Sequence, residues 1–132
     1  MLRDDLLAIY RTALDECDPA RLAHEALEEA AIEMRVDLVS IGKCAAPLFS
    51  GAAEALTLGR AFLGVPSGYA LPVAARDFEL AIGSHPDFTD ESFAAGRRLL
   101  EFVRSAVHPV VFLISGGASA SVEFPLEPWF AR

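Results

Sequence analysis

Lysine is almost missing from this chain: Lys43 stands alone beside ten arginines. Cysteine is scarce as well. Cys17 and Cys44 lie far apart, with no CxxC pair and no Cys/His spacing suited to a metal, which excludes a disulfide scaffold or zinc ribbon and points to a reduced, cytoplasmic setting. Basic charge of any kind is short, with eleven Lys and Arg against nineteen Asp and Glu, a net charge of −8. Binding a phosphate polymer or an anionic bilayer needs a basic face, so nucleic acid and membrane are excluded as partners. No apolar run reaches the roughly eighteen residues of a membrane helix. Acids interrupt the apolar residues from Asp4 onward, so no signal peptide fits the start. Repeats and linkers are missing too.

What is present is globular. Over half of the 132 residues are apolar, and a chain of that length can bury roughly two-thirds of its unfolded surface. Residues 3–16 place Leu6, Leu7, Tyr10, Ala13 and Leu14 at helical spacing. Asp18-Pro19 then supplies an N-cap and a proline at the first helical position. A second helix over 20–34 carries Leu22, Ala23, Ala26, Leu27, Ala30 and Ala31 on its buried stripe and closes a helical hairpin. From Val36 the pattern changes. Short β-rich runs at 37–41, 61–65, 78–82 and 110–114 alternate with helical segments ending near Thr57 and Arg104, the second capped by Thr89 with Asp90 and Glu91 in its first turn. The alternation predicts an α/β fold, a three-layer, Rossmann-like open sheet that is mainly parallel. Val110–Ile114 is apolar on both faces and is expected at the centre of that sheet.

Three polar loops leave the C-terminal ends of predicted strands, the edge where open α/β sheets bind ligands: Gly42-Lys43, Gly83 through Asp87, and Ser115 through Ser119. Lys43, between a strand and a helix start, is a compact point charge for a phosphoryl oxygen, although an isolated surface lysine in an arginine-rich chain is the plainer reading. Gly116 and Gly117 can turn their N–H groups inward as an anion nest, with the hydroxyls of Ser115 and Ser119 as extra donors; a tight strand-to-helix turn would use the same glycines. No lysine follows them, so this is not GxxxxGK[ST]. Ser121 stands where a nucleophile elbow needs glycine, which removes a hydrolase built on Ser119 and His85. His85 is a titratable ring on a rigid His85-Pro86 step. His24 and His108 read as structural or surface residues, and the three histidines have no metal-ligand spacing.

Three motifs together carry a resemblance: Ile41-Gly42-Lys43-Cys44-Ala45-Ala46, then Gly83-Ser84-His85-Pro86 ahead of Thr89-Asp90-Glu91-Ser92, then Leu113-Ile114-Ser115-Gly116-Gly117-Ala118-Ser119-Ala120. In order and spacing the chain resembles the N-terminal part of the class II glycerate kinases, the glycerate 2-kinase family, over essentially its whole length. The resemblance implies phosphorylation of D-glycerate to 2-phosphoglycerate by ATP with Mg²⁺. It also implies a Rossmann-like first domain, of which residues 1–132 would be part, facing a smaller MOFRL domain that this sequence lacks. Lys43 would neutralise phosphate or substrate charge as the catalytic cation. Gly42, Ser84, His85, Ser115, Gly116, Gly117 and Ser119 would line the substrate or phosphate site. The chain departs from the family at Ala118, where a third glycine is usual, and at Ser121, where leucine is usual.

Two other readings stand beside it: a non-catalytic anion-binding or interaction module of the same fold, and a hydroxypyruvate reductase, which would need a GxGxxG loop that does not occur. Half a cleft is expected to show negligible turnover. It is also expected to leave an unpaired strand edge and apolar surface; Pro125 and Pro128 blunt the tail but cannot cover a sheet face, so that the missing C-terminal portion or a second copy of the chain is the expected macromolecular partner.

Overall fold

The alternation of strand and helix is realised in a computed structural model that describes residues 2–69, 71 and 77–125. The elements run α1 (Leu2–Glu16), α2 (Pro19–Glu29), β1 (Val36–Ile41), α3 (Ala45–Ala55), β2 (Leu58–Pro66), β3 (Glu79–Gly83), α4 (Asp90–Arg104), β4 (Val110–Ile114) and α5 (Ala118–Ser121). The four strands pair in parallel in the order β3-β2-β1-β4.

Every residue of β1 is buried, because helices cover both faces of the sheet as parallel pairing requires. On one face Val36, Leu38 and Leu63 pack with Phe49 and Ala52 of α3 and Leu27 of α2. On the other, Val39, Ile41 and Phe62 meet Ala95 and Phe102 of α4. Burying each large side chain fully contributes about 1.5–3 kcal/mol. Phe49 adds an edge-on contact to Phe78 with centroids 5.5 Å apart.

α2 starts where the sequence predicts, with the Ala20 N–H donating to Asp18 Oδ1 at 3.0 Å and Pro19 in the first turn. It stops at Glu29 rather than near 34, since Ala31 takes φ +48° and turns the chain toward β1. Its buried stripe is accordingly shorter, Ala23 and Leu27 alone. α1 forms as predicted but none of its residues is buried. It is tied to α2 by Arg21, which donates to Asp15 O and Glu16 Oε2, each at 3.1 Å. Such an exposed tie contributes at most about 1 kcal/mol.

One expectation is overturned. β4 pairs with β1 alone and forms an edge of the sheet among the described residues; β1 and β2 are the central strands. Two-sided apolarity records that a strand needs cover on both faces. It does not say which neighbours the chain itself provides. Pro125 is half-buried, and Pro128 lies outside the described residues.

Candidate functional site

The chain lays β1, β2 and β3 side by side in one direction, then returns to place β4 on the opposite side of β1. The order therefore reverses between β1 and β4, and the two loops leaving their C-terminal ends flank a topological switch point, where ligands of open α/β sheets bind. Those loops are Gly42–Cys44 and Ser115–Gly117, two of the three singled out in the sequence.

Hydrogen bonds interlock them. The Lys43 N–H donates to Gly116 O at 3.0 Å. The Cys44 N–H donates to Ser115 Oγ at 3.0 Å, and that hydroxyl lies 3.2 Å from Ile41 O, to which it donates. The Ser115 N–H donates to the same carbonyl at 3.0 Å. Gly42, at φ +108°, lets the strands close: a Cβ there would sit 2.5 Å from Ser115 Oγ and 2.6 Å from Ser115 O. Ser115 thus already spends its hydroxyl on both loops, as a brace between them.

Gly117 is the point where the site residues converge. It adopts φ +86°, and a Cβ on it would come 2.9 Å from His85 Cδ2, 3.3 Å from His85 Nε2 and 3.3 Å from Lys43 Cε. The third predicted loop therefore reaches the same place, with the imidazole and the lysine stem both close to one glycine. Among the described residues, neither the Lys43 ammonium, the His85 ring, the Ser119 hydroxyl nor the Gly116 and Gly117 N–H groups has a hydrogen-bond or ionic partner. Lys43 is half-buried, His85 and Ser119 are exposed.

Ser84 is placed differently. Its hydroxyl donates to Asp87 O at 2.7 Å and lies 2.8 Å from Ser92 Oγ, and its N–H donates to Ser92 Oγ at 3.2 Å. Ser92 is fully buried and also accepts from the Thr89 N–H at 3.2 Å, half of a capping box at the start of α4. Ser84 is committed to shaping the loop that carries His85. Ser92, the buried hub of this network, has a sequence signal, since it sits three residues after the cap residue Thr89. The Thr89 hydroxyl also donates to Glu91, and that bond, with one from the Glu91 backbone, holds the Glu91 carboxyl below the ordinary carboxylate range.

Lys43 and the His85 ring thus lie close together beside the Gly116-Gly117 turn. The described residues contain no group of three His, Cys, Asp or Glu able to hold a metal ion. Nor does any helix among them have the length and apolarity to cross a membrane.

Comparison with known proteins gives this site a context. The family model described as "Domain of unknown function (DUF4147)" matches residues 5–130. The D-glycerate 2-kinase of Thermotoga maritima is 30% identical over 126 residues, covering 92% of this chain and 30% of that protein. The glycerate 2-kinase of Sulfurisphaera tokodaii is 36% identical over 52 residues, which are 39% of this chain and 13% of its own. Among solved structures, a glycerate kinase from Thermotoga maritima superposes with TM-score 0.84 and 29% identity, over 96% of this chain and 31% of that one. A protein from Pyrococcus horikoshii shares the fold at TM-score 0.63 and 24% identity, over 73% of this chain and 22% of its own. The chain thus spans about a third of the length of the Thermotoga relative.

Proposed function

This chain belongs to the DUF4147 family, with glycerate 2-kinases among its relatives, and from that premise we propose that it supplies the phosphate-binding wall of a kinase acting on D-glycerate with ATP. The observation that carries the reading is the approach of the Lys43 stem and the His85 ring to Gly117 at the switch point. In the transfer, a glycerate hydroxyl oxygen bonds to the γ-phosphorus, the bond from that phosphorus to the bridging oxygen breaks, ADP departs and the hydroxyl proton is released. Such a reaction asks the protein mainly for positioning and charge stabilisation. Lys43 opposes the phosphoryl charge. The Gly116 and Gly117 N–H groups cradle a phosphoryl or carboxylate oxygen. His85 and Ser119, both exposed beside them, hold the small-molecule substrate. Ser115 keeps the Lys43 loop and the glycine loop in register.

The donor set fits the phosphates of ATP. It does not fit Mg²⁺, a cation that takes oxygen ligands and commonly one or two carboxylates, and no step is assigned to that ion on these residues.

Calorimetric titration of ATP, ADP and inorganic phosphate tests the reading. Wild-type chain is expected to bind, and Lys43→Ala to bind at least about tenfold more weakly, a loss of about 1.4 kcal/mol. The thermal midpoint should hardly move, because the ammonium has no partner among the described residues. Undiminished binding by Lys43→Ala removes the proposal. Anion binding without any transfer once the rest of a relative is supplied would favour the second reading, a non-catalytic module.

A further inference from the structure

Gly117, the glycine that the Lys43 stem and the His85 ring both approach, is held by a residue to which no part in the site has been assigned. Ser121, the last residue of α5, donates to Gly117 O twice, from its hydroxyl at 2.7 Å and from its N–H at 3.2 Å. Helix serines often return a hydroxyl to the carbonyl four residues back, so this bond taken alone is ordinary. Its surroundings are not. Ser121 is fully buried, and its own carbonyl lies so close to Gly83 that a Cβ there would overlap it. Gly83 ends β3, two residues before His85. The chain then runs on to Glu123, whose N–H donates to Ser92 O at 3.1 Å. The Glu123 carbonyl fills the space that a Cβ on Gly96 of α4 would need. Ser92 in turn holds Ser84. Residues 121–123 therefore form a strap from the β4 loop across the end of β3 to α4. It is joined to the His85 loop at Gly83 and, through Ser92, at Ser84.

We propose that Ser121 is a positioning residue of this site: by tying Gly117 O to a strap packed on Gly83, it sets the separation of His85 from Lys43. Its consequence for binding rests on the phosphate reading of the site; the geometry does not. Two physical reasons support it. His85 and Lys43 follow β3 and β1, which are separated by β2, so strand pairing does not fix one loop directly against the other. Ser115 braces the β1 loop to the β4 loop, and Ser121 supplies the matching brace between the β4 loop and the end of β3. The second reason is electrostatic. A carbonyl oxygen carries partial negative charge and repels a phosphoryl oxygen, so two donors on Gly117 O keep that group engaged within the protein. Without the hydroxyl, Gly117 O keeps only the longer of its two bonds to Ser121, and the glycine between the lysine stem and the imidazole is held less firmly.

The test compares wild type, Ser121→Ala and Gly83→Ala as the whole chain, with inorganic phosphate and ATP as probes. Removing the hydroxyl should shift the NMR resonances of the His85 ring and the Lys43 ε-methylene in the free protein, while the Ser121 N–H keeps α5 in place. Gly83→Ala leaves the hydroxyl intact but displaces the Ser121 carbonyl, and should move the same resonances. By calorimetry Ser121→Ala should bind either probe about fivefold more weakly, the effect of losing one hydrogen bond. A merely structural role would weaken binding alike in any background. A positioning role acts through Lys43, so in a Lys43→Ala chain the added Ser121→Ala should change the remaining affinity by less than about twofold. His85 and Lys43 resonances that stay in place in the folded variants would overturn the proposal, as would a full fivefold loss in the Lys43→Ala chain. Unchanged affinity in Ser121→Ala, where wild type binds, would overturn it too and leave the phosphate reading standing. Should one variant fail to fold, the other decides by the same resonances. Wild-type chain that binds neither probe removes the phosphate reading, and the resonances then judge the positioning on their own.

Discussion

At the scale of single residues, chemistry here depends on which polar groups are already spent. Ser115 and Ser84 look like ligand donors in the sequence, but their hydroxyls are engaged at 3.2 Å or closer inside the protein. The Lys43 ammonium, the His85 ring and the Gly116 and Gly117 N–H groups are unspent among the described residues. This division yields a test of the brace. Ser115→Ala removes the acceptor for the Cys44 N–H and the donor to Ile41 O, and should cost about 1–3 kcal/mol because the group it orphans is half-buried. Urea unfolding measures the cost, and faster amide exchange at Cys44 locates it. A Ser115→Ala chain as stable as wild type, with Cys44 still protected, would return Ser115 to the ligand list. The motif letters alone could not separate the two roles, because a hydroxyl has the same chemistry whether it faces a neighbour or a substrate.

Elements follow local rules where local forces decide. α4 and β4 form over the residues that caps and apolar runs predict, since Thr89, Asp90 and Glu91 favour a helix start and five consecutive apolar residues a strand. α2 ends early because Ala31 must turn the chain into β1, a demand that arises from the sheet and leaves no local mark. The N-terminus of α4 carries a pH signature. Glu91 has its folded value depressed by the Thr89 hydroxyl, so its contribution is fully present above the unfolded value, about 4.3, and is lost as pH falls through the lower folded value. Urea midpoints taken from about pH 5.5 downward should therefore decline more steeply for wild type than for Glu91→Gln. Parallel curves would show that the Thr89 bond does not survive in solution. The effect is expected to be small, since Glu91 is exposed and water screens it.

For the whole molecule, the switch point and the β4 edge, open among the described residues, bear on what the chain can do unaided. On the proposed reading Lys43 and the Gly116-Gly117 loop contribute charge and N–H donors, while phosphoryl transfer needs donor, acceptor and charge held together. Isolated, the chain is expected to turn over glycerate far more slowly than the roughly 1–100 per second of ordinary kinases. A coupled ADP-release assay measures this, and ordinary turnover by the 132 residues would mean that the site is complete without further polypeptide. By itself the sequence determined the α/β class, the alternation that makes the sheet parallel, and the three polar loops at the strand ends, because periodicity, capping and glycine placement are short-range properties. Only the tertiary structure decided that, among the described residues, β4 lies at an edge and the stripe of α1 finds nothing to cover it, and that Ser115 and Ser84 turn inward. Each of these depends on which surfaces meet at long range, and packing partners, unlike propensities, are not written in the residues that need them.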